Sequence, residues 1–167
     1  ASALAECDVS KRSVTNEVSG ARMVSDLGGE LLFDARTTKA YVVDRCLLDR
    51  EMAENAADAG AEFRLKISAS GIRGSTLLTR GVRGREEIPF RLLIAADGPR
   101  SSVARMLGLR RPATYLAGVQ ADVPCAVDPR YVELHPNASP DFFGWVIPVS
   151  ATRARIGLCA REGAKDH

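Results

Sequence analysis

The sequence predicts an α+β chain: a mixed, mainly antiparallel sheet with two or three helices. Three observations lead there. Short aliphatic and β-branched runs, bounded by Gly, Pro, Asp and Ser, recur along most of the chain. The stretch 44–60 carries an apolar period close to that of a helix. The stretch 91–109, RLLIAADGPRSSVARMLGL, reads as a buried strand, a sharp turn and a short helix. The length of 167 residues suits a single domain, 1–167, able to bury about 70% of its unfolded surface.

In chain order, residues 1–20 are polar and read as a loop leading towards a helix. Residues 21–43 read as a β-meander, with strands at Met23-Val24, Leu31 to Phe33 and Tyr41 to Val43, and a turn at Leu27-Gly28-Gly29. In 44–60, Leu48, Met52 and Ala56 share one helical face, Asp44 is the expected N-cap and Gly60 the expected stop. Strands follow at 62–68, 75–80 and 87–96. Two basic G-x-x-G segments, at Gly71 and Gly81, sit between strand-like flanks, so tight β-turns explain them and a nucleic-acid clamp does not.

The 92–96 run is short and ends in Asp97-Gly98. A carboxylate at the end of a buried strand, beside a helix start, is where open α/β proteins place ligand groups. Gly98 permits a tight turn or the close approach of a ligand. Ser101 or Ser102 can cap the helix and Gly108 can end it. Further on, strands are expected at 114–123, 131–134 and 154–160. In PDFFGWVIPV, the residues Phe143, Trp145 and Ile147 alternate and therefore share one side of a strand. Core packing alone could account for that aromatic side.

Composition narrows the function class. The chain is 46% hydrophobic and 26% charged with a net charge of +2, which neither demands nor excludes a polyanionic partner. No apolar run reaches the length of a membrane span, and no leader is expected from the opening residues. Four scattered cysteines, Cys7, Cys46, Cys125 and Cys159, show no metal spacing with His135 or His167, so no metal site is expected and reduced thiols in the cytoplasm are the default. The chain contains no G-x-G-x-x-G loop.

Three segments resemble the geranylgeranyl reductase family of FAD-dependent oxidoreductases, within the aromatic-hydroxylase superfamily. Asp97-Gly98-x-x-Ser101-x-Val103-Ala104-Arg105-x-x-Gly108 resembles its DGxxSxVARxxG segment. The run from Asp44-Arg45 to Ala59-Gly60-Ala61 resembles DRxxFDxxLAxxAxxAGA, with Leu48 and Met52 as volume-tolerant replacements. Pro140-x-x-Phe143-x-Trp145-x-Ile147-Pro148 resembles the PxxYxWxFP motif, with Phe143 and Ile147 replacing Tyr and Phe. Ser10-Lys11 resembles a Ser-Lys pair of the family, whereas Cys7 does not fall at the family's cysteine position.

The resemblance implies the central part of a longer flavoprotein, the substrate-binding portion without the N-terminal Rossmann half, with 87–109 belonging to the FAD-binding domain. It implies a reductase that saturates isoprenoid C=C bonds of a prenylated lipid or pigment by hydride transfer from reduced flavin. Arg45, Asp97 and Gly98 would contact FAD. Phe143, Trp145 and Pro148 would line the substrate's apolar pocket. No side chain stands out as a catalytic acid. NAD(P)H or ferredoxin would supply electrons, no nucleic acid is involved, and a lipid substrate implies contact with a bilayer surface. A flavin-dependent monooxygenase or halogenase of the same superfamily, or a non-catalytic binding module, are the alternatives.

Overall fold

The computed structural model describes residues 9–110 and 112–161; Cys7 and His167 lie outside them. Contacts gather the chain into two compact units, residues 1–61 with 116–167, and residues 62–115.

The first unit is built on a six-stranded sheet of β2 (Gly20–Val24), β3 (Glu30–Asp34), β8 (Leu116–Pro124), β9 (Tyr131–His135), β10 (Gly144–Ser150) and β11 (Arg153–Arg161). Their order across the sheet is β3-β2-β9-β10-β11-β8. Only β2 and β9 run parallel; every other neighbouring pair is antiparallel, which is the mixed, mainly antiparallel sheet expected. A separate two-stranded ribbon pairs β1 (Val14–Val18) with β4 (Ala40–Val43). Val18, Val42, Tyr131, Ala154 and Pro148 are buried.

Two expectations fail in this unit. Of residues 1–20, expected as a loop leading towards a helix, the described ones form only a short 3-10 turn at Lys11–Ser13, which runs straight into β1. The 21–43 segment is not a meander, because β4 leaves β3 and pairs with β1. Asn16 explains why β1 escapes a hydrophobic pattern. It occupies an inward position between Val14 and Val18, and its side-chain amide donates to the carbonyls of Pro129 (2.8 Å) and Pro148 (2.9 Å). A polar residue faces inward there because both its donors are satisfied.

The helix α1 (Arg45–Asp58) forms where expected. The Asp44 carboxylate accepts from the backbone N–H groups of Cys46 (2.8 Å) and Leu47 (3.2 Å). At the other end, Ala61 N–H donates to the Ala56 carbonyl and Gly60 N–H to that of Ala57, the paired bonds of a Schellman stop. No residue of α1 is buried.

The second unit holds a three-stranded meander, β5 (Ile67–Arg73), β6 (Thr76–Gly81) and β7 (Gly84–Pro89). Both G-x-x-G segments lie at tight turns as expected: Gly74-Ser75, at the end of the first, joins β5 to β6, and Val82-Arg83, in the middle of the second, joins β6 to β7. The strands begin or end several residues from the expected places; β5 starts at Ile67 rather than near 62. The short helix α2 (Ser102–Met106) packs beside β5 and buries Val103. The expected buried strand at 92–96 is absent. Those residues belong to no strand, and Leu92 and Ile94 are 77% and 78% exposed. A strand buried on both faces needs partners beside it and helices above and below it, and the described residues supply neither for 92–96.

Candidate functional site

In the second unit, Asp97 and Gly98 form the approach to α2. Ser101 is the N-cap, its hydroxyl accepting from Ala104 N–H at 2.9 Å. The Asp97 carboxylate takes a second set of bonds from the same helix start. Its Oδ1 accepts from the Ser101 hydroxyl. Its Oδ2 accepts from Ser102 N–H (2.7 Å), the Ser102 hydroxyl (3.1 Å) and Val103 N–H (3.2 Å). The Ser101 hydroxyl and the backbone donors behind it favour the ionised form and draw the Asp97 pKa down to about 2. Oδ1 retains a lone pair for a further donor. Gly98 has φ of +80°, and a Cβ built there would meet nothing within 4 Å. The turn therefore needs glycine for its backbone and leaves open space beside Asp97.

In the first unit, Arg45 opens α1. Its side chain is 70% exposed, and the guanidinium holds Asp49, one helical turn on, at 3.0 Å. The motif pairing of Arg45 and Asp49 is thus an intrahelical ion pair with the rest of the fork facing outward.

Phe143 and Trp145 come together. Their ring centroids lie 6.2 Å apart at 73°, an edge-to-face pair, and Phe142 stacks on Phe143 at 4.3 Å. Pro148 does not join them. It is fully buried, pairs with buried Ala154, and lies on the opposite side of β10, because side chains alternate along a strand. Its part is to support the sheet, not to line the aromatic side, and the expectation placing it beside Phe143 and Trp145 is corrected.

Trp145 depends on a residue that the motif does not contain. Gly157 faces it across β10 and β11. A Cβ at Gly157 would stand 2.6 Å from the Trp145 ring, 2.6 Å from the Val119 carbonyl and 2.7 Å from Gln120 Cβ. The missing side chain lets the indole lie across the sheet. Its position, opposite an aromatic in a strand of otherwise larger residues, is the only signal the sequence offers. The indole N–H is buried without an acceptor among the described residues.

Trp145 and Gly157 also border an open depression of about 410 Å3, lined with Val119, Val146, Ile156 and Leu158, whose surface is almost wholly carbon. Such a surface can receive a chain that offers no hydrogen bonds.

No family model matches the chain. It is 33% identical over 157 residues to digeranylgeranylglycerophospholipid reductase 2 of Methanothermobacter thermautotrophicus, covering 87% of this chain and 40% of that protein. Its fold superimposes on a geranylgeranyl bacteriochlorophyll reductase-like protein of Thermoplasma acidophilum with a TM-score of 0.84 and 26% identity, over 94% of this chain and 44% of that one. The flavin-dependent brominase Bmp2, in a triple-mutant form, shares the fold at a TM-score of 0.76 and 12% identity, over 96% of this chain and 45% of its own. The chain spans about 40% of the length of the curated relatives it matches. The resemblance carried by three short motifs therefore extends along most of the chain, and the fold is shared with part of a reductase-like protein and of a flavin-dependent brominase.

Proposed function

We propose that this chain is part of an FAD-dependent reductase that saturates isoprenoid C=C bonds of a prenylated lipid or pigment, acting in the cytoplasm at a bilayer surface. The observation that carries this is the 33% identity over 157 residues to a protein named as a reductase of a digeranylgeranyl glycerophospholipid. Asp97 and Gly98 fit a flavin nucleotide in two respects. Oδ1 keeps one acceptor for a hydroxyl, and the glycine turn leaves room for the cofactor to approach. Arg45 offers an outward guanidinium to a flavin or a phosphate.

Bound FAD, reduced by NAD(P)H or ferredoxin, would supply hydride to the alkene; the protein supplies orientation and a dry pocket. The work of this chain is to hold and to exclude water. Phe143 and Trp145 would flank the alkene with apolar rings, and Gly157 sets the tilt of the indole. Pro148 would act behind them, keeping β10 in place.

The test is Trp145→Ala in a protein joining this chain to a dinucleotide-binding half. Gain of one H2 per double bond in the prenylated product should fall at least tenfold, while the unfolding midpoint changes far less. Loss of stability with no separate loss of turnover would reduce Trp145 to core packing. Oxygen-dependent NADPH oxidation with no alkene reduction would favour a monooxygenase instead.

A further inference from the structure

The second unit carries a concentration of positive charge. Residues 62–115 hold 11 Arg and Lys against 4 Asp and Glu, whereas the remaining residues hold 12 against 17. Part of that charge is neutralised in place. Arg64 pairs with Glu62 (2.9 Å) and Glu86 (2.7 Å), and Arg73 approaches Glu87 at 3.6 Å.

At the end of the meander that holds the β6–β7 turn, the cations are differently placed. Arg80 and Arg85 face each other directly across the two strands, with Gly81 and Gly84 next and Val82-Arg83 at the tip. Two like charges directly opposite each other weaken a sheet, so the pair has a cost within the chain itself. Lys66, just before β5, sits at the same end, its carbonyl 3.2 Å from the position of a Cβ on Gly81. Apolar side chains interleave with these cations. Val82 at the tip is 89% exposed and Leu65 79%, and Phe63 completes a depression of about 630 Å3 that also involves Lys66 and Arg83. Aliphatic side chains projecting from a turn among cations gain nothing from water.

We propose that the β6–β7 turn is a docking surface for an anionic lipid bilayer. Val82 and Leu65 enter the headgroup boundary, while Lys66, Arg80, Arg83 and Arg85 meet lipid phosphates. Arginine stems can follow the apolar tip and leave their guanidinium groups at the phosphate level. Charge complementarity selects an anionic surface, and the aliphatic Val82 and Leu65 favour a bilayer; Phe63 is the one ring among the described residues of this depression on which a base could stack, so binding to nucleic acid is an outcome of the test. The lipid substrate proposed above gives this surface its purpose, and that reading is the only support it takes from the reductase assignment.

The experiment is co-sedimentation of this chain with vesicles of fatty-acyl phosphatidylcholine, alone or mixed equally with phosphatidylglycerol. Such vesicles contain no isoprenoid, so the result reads the docking surface and leaves the reductase proposal to its own assay. Partition onto the anionic vesicles is expected to exceed that onto neutral ones and to fall as salt rises. Arg83→Gln with Arg85→Gln should lower partition about 25-fold, from about fivefold per arginine near an anionic surface. Arg83→Lys with Arg85→Lys should retain it, and Val82→Ser should weaken it with the charge unchanged. Equal binding to neutral vesicles, no loss in the glutamine pair, or no binding at low salt each overturns the proposal. Tighter binding to duplex RNA than to anionic vesicles in the same buffer overturns it in favour of a nucleic-acid surface.

Discussion

Asp97 serves the helix start first, and any flavin contact adds to that. Four hydrogen bonds from three residues hold its carboxylate at α2. Its pKa near 2 lies below the ordinary value of 3.8. A carboxylate depressed on folding stabilises the protein above its unfolded pKa and loses that contribution as pH falls towards the folded one. The window is therefore about pH 4 to 2. Asp97→Asn should lower the denaturant midpoint at pH 7, with the gap to the wild type closing as pH falls through that window. Using the difference between the two proteins removes other low-pKa carboxylates, such as Asp128 beside Arg130. A gap that stays constant with pH would show that the charge of Asp97 does not support α2. Gly157 makes an opposite case, a residue that matters by what it lacks. In Gly157→Ala the new methyl meets the Trp145 ring, a backbone carbonyl and Gln120, and the strand backbone cannot swing away without breaking its pairing. Overpacking of this kind costs about 1–3 kcal/mol, measurable by urea denaturation, with a shift in Trp145 fluorescence as the indole is displaced.

Among the helices and strands, α1 is the clearest example of a local code. It has no buried residue, so packing contributes little and its ends carry the burden. Asp44→Ala should cost about 1 kcal/mol by removing the cap, and Asp44→Ser should recover most of it. Helical circular dichroism and the urea midpoint give the two readings; an unchanged midpoint in the alanine variant would mean that tertiary contacts hold the helix. The same locality made α1 legible: Asp44, the spacing of Leu48 and Ala56, and Gly60 all sit within the element they define. Strands whose partners are distant were less so. The pattern of β1 is hidden by Asn16, whose inward position makes sense only once the carbonyls of Pro129 and Pro148 are seen beside it. The partner of β4 lies in β1 and not in its neighbour β3, and no spacing within 21–43 announces that. The 92–96 segment shows the reverse failure: its residues spell a buried strand, but the described residues do not surround it. Of the candidate site, the Phe143–Trp145 side was visible from alternation, whereas Gly157 was not, because a glycine opposite an aromatic acquires meaning only through register.

For the molecule as a whole, the outstanding question is how far these residues can hold a flavin by themselves. The holding group of an FAD site is usually a glycine-rich loop at a helix N-terminus, which meets the pyrophosphate with several backbone N–H groups. This chain has no G-x-G-x-x-G. What it offers in 62–115 is one remaining acceptor on Asp97 beside an open glycine turn. A hydrogen bond to a charged group is worth about 1.5–3 kcal/mol. A millimolar dissociation constant already requires about 4 kcal/mol beyond the cost of immobilising the ligand. A single contact therefore falls short of retention through purification, and Arg45 as an exposed cation adds little in salt. The chain expressed alone should be colourless, and joining it to a dinucleotide-binding half should give a yellow protein with flavin near stoichiometry. In the joined protein, Asp97→Ala should lose more flavin than Ser101→Ala, which disturbs the same helix cap but removes no cofactor contact. Equal losses would assign Asp97 to the helix alone, and stoichiometric flavin on the isolated chain would show that these residues hold the cofactor in a way the Asp97 turn does not explain.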